Sequence, residues 1–394
     1  MAPQYSEALA WLYRATRNGQ PRDPARMTRL IAALGLTPPP QSVQVVGTSG
    51  KGTVAAMLAA TLQAGGWRVG RFLSPHVEEF TERIAVNGRA IPPEAVTAFV
   101  SHLQAQPPSA AFFELTLALA LTHFAQQAID IAVIEAGVGA RSDATIVLRP
   151  VACTVITTIG HDHLEVIGPT LRDVAWDKAA AIRPGVPVVT GATGVGLEVM
   201  LAAAQTHGSP LYRLDPDDPL FALPSKLPPS DQIREQNQRL AAAASRLLGI
   251  TSDTVLATGL ALPPLPARRE LFRVQGRTVL LDGAHNPTAA QALRATLERP
   301  YLLLFGALPR KDGEATLAVL EPFALATFIT DVDGQASALS RLPSRTFIAD
   351  PLAALSQALA HCPEDAVLVV TGSLYLAGQL RPWLRSADAG EIRV

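Results

Sequence analysis

Cysteine is scarce in this sequence of 394 residues, and its scarcity excludes a fold held together by disulfide bonds. Cys153 lies in an apolar run, and Cys362 lies beside Pro363. Two distant thiols form neither a disulfide framework nor a metal-binding knuckle. We therefore expect the protein to work in a reducing cytoplasm.

Long apolar runs are missing as well. No stretch of about 18 apolar residues continues without a charge or a proline or glycine break, so the sequence does not predict a membrane span. The N-terminal stretch mixes acidic, basic and aromatic side chains and lacks the apolar core of a secretory signal. We expect a soluble protein that is not exported.

Neither sign of charge is in excess. The 33 basic residues nearly balance the 34 acidic ones, which leaves a formal net charge of -1. We therefore expect neither nucleic acid nor a membrane surface as a partner, and any anion site must be local. Apolar residues make up 48% and charged residues 17% of the chain, which excludes a disordered protein. The length favours two or three globular domains.

Lysine is unusually rare, because only four of the 33 basic residues are lysines, at positions 51, 178, 226 and 311. Arginine is the basic residue at the other positions, so each lysine is a candidate for a role that a guanidinium group cannot perform. An amine is a compact point charge, and it can lose its proton and react.

Short apolar runs alternate with helical patterns from about residue 43 onward, which predicts an α/β fold with a mostly parallel sheet covered on both faces. The first set has predicted strands at Val43–Val46, Ile129–Glu135, Val151–Ile159 and Val186–Thr190, and helices at 53–65, 113–127, 170–182 and 194–206. The proline-rich segment 260–270 predicts a linker, so we expect domains at 1–262 and 263–394. A second alternating set follows, with strands at Thr278–Leu281, Tyr301–Phe305, Ala324–Ile329 and Ala366–Val370.

The strongest local motif is GTSGKGT at residues 47–53, which follows an apolar strand and opens a helix. In such a turn, backbone N–H groups converge on phosphate oxygens, a lysine neutralises the outer phosphates and a hydroxyl can bind Mg²⁺. Lys51 and Thr53 are therefore candidate nucleotide ligands. Gly52 separates them, so the usual GxxxxGK[ST] pattern is not met in full, and a turn kept for packing alone is the alternative.

Polar residues end the next strands, where ligands bind in open α/β sheets. Glu135 ends one strand, and the HDH cluster at 161–163 follows another. A hard cation or a phosphate suits these groups better than zinc, because no matching Cys or His cluster is nearby. A solvated loop is the alternative for HDH, and a surface lysine is the alternative for Lys178, which lies in a helical stretch.

The second half of the chain contributes Asp282 and His285 at another strand end. A carboxylate suits a pair of ribose hydroxyls, and an imidazole suits a phosphate. Arg268, inside the predicted linker, is a further candidate for a phosphate contact.

Taken together, these motifs resemble the folylpolyglutamate synthase and dihydrofolate synthase branch of the Mur-type ATP-dependent amide ligases, over nearly the whole chain. Residues 47–53 resemble that family's GTNGKGS loop, residues 74–76 and 82–84 its SPH and ERI pair, residues 113–116 its FE-x-T helix start, and residues 135–145 its E-x-G-x-GGRLDATN segment. His163 and Lys178 fall in a stretch similar to DH…EKA, Asp282–Pro287 reads DGAHNP, and residues 371–375 read TGSLY.

The resemblance implies a role for each matching residue. It assigns ATP to Gly47, Thr48, Ser49, Gly50, Lys51, Gly52, Thr53, Asn237, Arg268, Asp282 and His285, and Mg²⁺ to Thr53, Glu135, His163 and Lys178. It assigns the folate or glutamate pocket to Ser74, His76, Ser373 and Tyr375, and makes Lys51, Lys178 and His163 the catalytic residues. Lys178 matches the lysine that the family carbamylates, a reaction closed to arginine.

The implied activity is ATP-dependent ligation of L-glutamate to a folate or dihydropteroate carboxylate through an acyl phosphate. The implied architecture is an N-terminal P-loop ATPase domain with a mostly parallel sheet, followed by a smaller Rossmann-like α/β domain, in a monomer. A Mur-type ligase for another acid and amino acid is one alternative, and a non-catalytic nucleotide-binding relative is another. Dihydrofolate synthesis, tail elongation or both are compatible with these motifs.

Four residues depart from the family pattern. Ser49 replaces an asparagine, Ala140 and Ala267 replace glycines, and His161 stands where the family has an apolar residue. None removes a charge or a metal ligand, so we expect activity. The two alanines add Cβ atoms where glycine permits unusual backbone angles, so we expect them to affect substrate choice.

Overall fold

The computed structural model describes residues 4–15, 22–308, 313–335, 339 and 345–391, so Lys311 lies outside the described residues. The chain divides into two compact units. The first comprises Met1–Pro75 and Thr81–Leu262. The second comprises Pro263–Val394 together with the short segment His76–Phe80. The polypeptide therefore passes from one unit to the other at three places along its sequence.

The described residues of the first unit contain an eight-stranded sheet. Its strands are β1 (Ser42–Val46), β2 (Val69–Phe72), β3 (Ile84–Val86), β4 (Arg89–Ala90), β5 (Ile131–Glu135), β6 (Val151–Ile156), β7 (Val188–Thr190) and β8 (Leu211–Arg213). Their order across the sheet is β4-β3-β2-β5-β1-β6-β7-β8. Strands β3 and β4 are antiparallel to their neighbours, and the remaining pairs are parallel. The glycine-rich motif thus follows a strand at the centre of the sheet.

Helices cover this sheet. They are α1 (Tyr5–Arg14), α2 (Pro24–Ala33), α3 (Lys51–Ala64), α4 (Pro93–Ala105), α5 (Phe112–Gln126), α6 (Leu164–Ile167), α7 (Leu171–Ala179), α8 (Gly194–His207), α9 (Gln232–Leu247) and α10 (Asp253–Leu260). Several begin at a residue whose side chain accepts an N–H bond from the first turn, as Asp23, Thr170 and Asp231 do. Helix α3 packs against β1, β5, α9 and α10, so apolar residues surround it on most sides.

The second unit repeats the plan on a smaller scale, with a six-stranded sheet in its described residues. The strands are β9 (Glu270–Val274), β10 (Arg277–Leu281), β11 (Tyr301–Phe305), β12 (Ala324–Ile329), β13 (Thr346–Phe347) and β14 (Val367–Thr371), in the order β13-β12-β11-β14-β10-β9. The helices are α11 (Pro287–Arg294), α12 (Gly313–Leu320), α13 (Pro351–His361) and α14 (Leu374–Glu391). Successive residues of β11 enter two different apolar clusters, because both faces of the sheet are covered.

The predicted α/β class is confirmed, and the predicted strands and helices are present with small shifts at their ends. The strand expected at Val151–Ile159 ends at Ile156, because the next residues turn toward the glycine-rich loop. The elements that were not predicted are helices α1, α2, α4, α6, α10, α12 and α14 and strands β2, β3, β4, β8, β9 and β13. Among helices of the described residues, none is long and apolar enough to cross a membrane.

The contact between α3 and α10 leads to a stability prediction. At Gly259 the two helices lie so close that a Cβ atom would overlap the backbone of Thr61. We expect Gly259→Ala to lower the free energy of unfolding by about 1–3 kcal/mol, because one helix must move away from the other. Urea unfolding followed by circular dichroism measures the change.

Thr258→Ala is the matched control, because Thr258 precedes Gly259 on α10 and its side chain is exposed. Its expected effect is within about 0.5 kcal/mol. Equal effects of the two substitutions would show that the close approach at Gly259 does not limit stability.

Candidate active site

Three neighbouring strands end at the same edge of the first sheet and bring the predicted motifs together. In the register of the sheet, Val45 of β1 lies opposite Glu135 of β5, and Val46 lies opposite Ile156 of β6. The glycine-rich loop, Glu135 and the segment after β6 are therefore adjacent, although they are about a hundred residues apart in sequence.

Two glycines of the loop are required by its geometry. Gly47 and Gly50 have φ values of +144° and +86°, which non-glycine residues rarely adopt. A Cβ atom on Gly47 would overlap the Thr157 hydroxyl, and one on Gly50 would overlap the Asn237 amide. The loop backbone thus lies directly against β6 and α9, and the buried side chain of Asn237 is placed beside the predicted nucleotide loop.

Hydroxyl groups after β6 fix the loop in this position. Thr157 Oγ1 donates to the carbonyl of Ser49 at 2.6 Å, and Thr158 Oγ1 accepts the Ser49 N–H at 3.1 Å. The Thr48 hydroxyl donates to the carbonyl of Gly160 and accepts its N–H, both at 3.0 Å. Sequence reasoning missed both threonines after the strand, since it read them as part of β6.

Helix α3 begins immediately after the loop. Its N-cap is Gly50, which has no side chain to accept a hydrogen bond, so the first N–H groups of the helix are available to an anion. Lys51 and Thr53 lie in this first turn, and Lys51 Nζ donates to the Thr48 carbonyl at 3.2 Å. The arrangement suits a phosphate group, as the motif predicts.

Glu135 and His163 occupy the predicted metal positions. Glu135 is buried, and its Oε2 accepts the N–H of Ser74 at 2.9 Å, which anchors the segment that carries the predicted substrate residues. His163 has φ +52°, a costly conformation for a non-glycine residue and one that clusters at functional sites. Its Nε2 lies 3.6 Å from Oδ2 of Asp162. Among the described residues, no three His, Cys, Asp or Glu side chains form a cluster able to hold a metal.

Lys178 lies in the interior with 2% of its surface exposed, so the alternative of a surface lysine is wrong. Burial and the nearby positive charge of Lys51 lower the pKa of Lys178 to about 8, against the opposing effect of Asp162, Asp177 and Asp143. Two of the four lysines of the chain are therefore close enough for their charges to interact. A buried ammonium beside a second ammonium is unfavourable, and conversion of Lys178 to an uncharged or anionic group would remove that cost.

Buried carboxylates hold the loop that follows Glu135. Asp177 accepts the N–H of Ala140 at 2.7 Å, and Asp143 accepts the N–H groups of Gly137 and Val138 at 3.1 and 3.0 Å. Burial raises the pKa of Asp143. Neither residue was a predicted site residue. Ala140 is not among the residues with positive φ, so its Cβ causes no backbone strain.

The second unit holds Arg268 on a strained loop. Ala267 and Arg269 on either side of it have φ values of +52° and +57°, so Ala267 does occupy a position that favours glycine. Asp282 accepts the N–H of Arg269 at 2.9 Å and that of Ala284 at 2.8 Å. Burial raises the pKa of Asp282, although Arg268 and Arg269 oppose this shift. Asp282 thus shapes the loop around Arg268.

The other predicted residues of the second unit lie at the ends of β10 and β14, which are adjacent and parallel. His285 Nδ1 lies 2.9 Å from the Gly283 carbonyl, and Asn286 caps α11, so part of the DGAHNP motif serves to start a helix. Ser373 is buried and accepts the Tyr375 N–H at 3.1 Å, whereas the Tyr375 side chain is exposed. His76, in the segment 76–80, contacts Phe80 edge-on at 6.0 Å between ring centroids.

Comparison with protein families gives two matches. The Mur ligase middle domain matches residues 45–183, which span the loop, Glu135, His163 and Lys178. The Mur ligase glutamate ligase domain matches residues 267–374, which span Arg268, Asp282 and His285.

Individual proteins match over nearly the whole chain. A dihydrofolate synthase/folylpolyglutamate synthase of Bacillus subtilis is 31% identical, with 98% of this chain and all of the relative covered. The crystal structure of Escherichia coli FolC in complex with DHPP and ADP has a TM-score of 0.88 and 28% identity, with 98% of each chain covered. A bifunctional folylpolyglutamate synthase/dihydrofolate synthase of Yersinia pestis, complexed with AMPPNP and a Mn ion, has a TM-score of 0.85 and 26% identity, with 97% and 98% covered. This chain belongs to the folylpolyglutamate synthase/dihydrofolate synthase family of Mur ligases.

Proposed function

We propose that the protein is an ATP-dependent ligase that joins L-glutamate to the carboxylate of a folate or of dihydropteroate. The observation that carries the proposal is the burial of Lys178 within range of the charge of Lys51, which a glycine-lined loop presents, in a member of this family. The E. coli relative binds DHPP and ADP, and a homologous bifunctional enzyme binds Mn, AMPPNP and L-glutamate. The same ligand classes suit the residues found here.

The residues of the first unit fit ATP and a divalent cation. Glycine at positions 47 and 50 lets the loop lie directly against Thr157 and Asn237, and a glycine-rich loop of this kind suits phosphate oxygens. Thr53 and Glu135 supply hard oxygen donors, His163 an imidazole and Lys178 a modifiable amine, and we assign these four residues to Mg²⁺. When bound, the cation polarises a phosphoryl oxygen as a Lewis acid.

The chemistry requires activation of a carboxylate, which is a poor acyl donor at neutral pH. The carboxylate oxygen attacks the γ-phosphorus of ATP, ADP leaves, and an acyl phosphate forms. The glutamate nitrogen then attacks the acyl carbon, and inorganic phosphate and a proton leave as the amide forms. Lys51 and the N–H groups of the loop stabilise the charge on the transferred phosphoryl group, which is chiefly an effect of position and electrostatics.

Lys178 has the properties needed for carbamylation. Its lowered pKa increases the neutral fraction, whose nitrogen attacks carbon dioxide to give a carbamate and a proton. The product is an anion beside Lys51, so the repulsion between two ammonium groups becomes an attraction. We propose that this carbamate completes the cation site.

Two further points belong to this proposal. Cys153 and Cys362 are buried free thiols, which suit a cytoplasmic enzyme.

A ligase for a different acid and amino acid is the remaining alternative, and the substrate experiment below tests it.

Phosphate release from MgATP and L-glutamate tests the proposed function, with dihydropteroate, tetrahydrofolate or no acid added. We expect at least one pterin acid to stimulate release, because the reaction cycle is completed only when a carboxylate accepts the γ-phosphoryl group of ATP. The acid that stimulates identifies the synthase activity. Stimulation by neither, with ATP still bound, would contradict the pterin assignment.

The role of Lys51 predicts that Lys51→Ala lowers kcat/KM by about 100-fold or more, since the charge on the transferred phosphoryl group loses its main cation. Steady-state phosphate release measures the loss. Lys226→Ala is the matched control, because Lys226 is exposed in a turn of the same unit. Near-normal turnover of Lys51→Ala would show that the assignment of the loop to ATP phosphates is wrong.

The carbamate assignment predicts that Lys178→Arg lowers kcat/KM by about 100-fold or more, although it keeps the positive charge, because guanidinium cannot be carbamylated. Wild-type protein supplied with ¹³C-bicarbonate should show a carbamate resonance that Lys178→Arg lacks. A fully active Lys178→Arg variant, or the same resonance in both proteins, would show that the assignment is wrong.

A further inference from the structure

Arg381 of α14 is the centre of a charge cluster that lies within the second unit. It forms a two-pronged ion pair with Glu270, with Nε and Nη2 each 2.7 Å from a carboxylate oxygen. Its third nitrogen, Nη1, donates to Glu78. One guanidinium therefore joins two carboxylates that are far apart in sequence, in the planar geometry that only arginine provides.

The cluster is largely shielded from water. The exposed fractions of the side chains are 14% for Arg381, 17% for Glu78 and 21% for Glu270. Hydrogen bonds to Glu270 and Glu78 raise the pKa of Arg381 above its usual value, so its guanidinium is charged at neutral pH. Removal of the arginine would leave two partly buried carboxylates side by side, which is unfavourable for both.

Glu270 connects the cluster to the loop that carries Arg268. Its Oε2 accepts the N–H of Ala267 at 3.0 Å, next to the bond from Arg381. On the other side, Asp282 accepts the N–H of Arg269. The loop, with its two residues of positive φ, is thus clamped between Glu270 and Asp282. Glu270 in turn is held by Arg381.

Glu78 connects the cluster to the segment His76–Phe80. A second contact reinforces it: Gly378, three residues before Arg381 and on the same side of α14, lies so close to the Val77 carbonyl that a Cβ atom would overlap it. Phe80 is buried at the end of the segment and packs against His76. The position of His76 therefore depends on the turn of α14 that bears Arg381.

We propose that Arg381 is a positioning residue that sets two ligand-binding elements at once, the Arg268 loop through Glu270 and the His76 segment through Glu78. The inference rests on the proposed function and on the roles that the family resemblance implies, ATP for Arg268 and the folate or glutamate pocket for His76. Arg381 itself contacts neither ligand in this assignment. It acts by holding the backbone from which each ligand-binding side chain extends.

Arg381→Met tests the proposal, because methionine keeps an unbranched apolar stem and removes the charge and the hydrogen-bond donors. We expect KM for MgATP and KM for the pterin acid each to rise by about tenfold, since small displacements of binding groups weaken both complexes. Arg345→Met is the matched control. Arg345 forms a similar two-pronged pair with Glu321, with 19% and 25% of the side chains exposed, and within the part of the chain that the structure describes this pair includes no predicted ligand-binding residue.

Variants of Glu270 and Glu78 separate the effect on KM for MgATP from the effect on KM for the pterin acid. Glu270→Gln should raise KM for MgATP more than KM for the pterin acid, and Glu78→Gln should do the reverse. Arg381→Lys should recover part of the loss, because an ammonium keeps the charge but cannot form all three bonds. These opposite changes in KM distinguish positioning from a general loss of stability, which would move both constants together.

Kinetic constants of Arg381→Met that match those of Arg345→Met, with only the unfolding midpoint lowered, would overturn the proposal. If Arg381→Met does not fold, as judged by circular dichroism, the comparison of Glu78→Gln with Glu270→Gln decides, and equal changes in the two KM values overturn it. Failure of the proposed function is a different result: wild-type protein would then release no phosphate with any pterin acid. In that event the affinity of Arg381→Met for a fluorescent ATP analogue, against that of Arg345→Met, still tests the Arg268 branch.

Discussion

The burial of Lys178 within range of the charge of Lys51 is the central electrostatic constraint of the first unit. Neither lysine can leave: Lys51 is fixed by the first turn of α3, and Lys178 is enclosed by the packing of α7. Carboxylates accumulate around the pair, with Asp162, Asp177 and Asp143 all acting on Lys178. Burial and the charge of Lys51 favour loss of the Lys178 proton, and the three carboxylates oppose it.

Both units hold their predicted ligand-binding loops by the same physical means. A carboxylate accepts backbone N–H groups of a short loop, as Asp177 does for Ala140, Asp143 for Gly137, Asp282 for Arg269 and Glu270 for Ala267. A bond between a charged acceptor and an amide is stronger than a neutral one. Loops fixed in this way keep their shape without bulky side chains, which leaves their exposed faces to ligands.

The sequence predicts those parts of the molecule that are encoded locally. The alternation of apolar runs predicts the strands. Gly47, Gly50 and Lys51 predict a phosphate-binding loop, because the residues that such a loop needs are close together in the sequence. The parallel register then brings Glu135 to that loop. The departure at Ala267 was also visible, and the structure shows that this alanine has a positive φ. Contacts between distant residues left no such signal: Thr157 meets Ser49, and Arg381 meets Glu78 across 303 positions, because tertiary packing rather than a motif joins them.

The segment His76–Phe80 has a consequence for how this protein can be divided. It is assigned to the second unit, although the chain on either side of it belongs to the first. A cut at residue 262 would therefore not separate two self-contained pieces, since the C-terminal fragment would lose Glu78 and the carbonyl against which Gly378 packs. Exchange of C-terminal halves between relatives would bring together an α14 and a 76–80 segment that had not been selected as a pair. Recombination at the evident linker is thus restricted by five residues encoded far upstream of it.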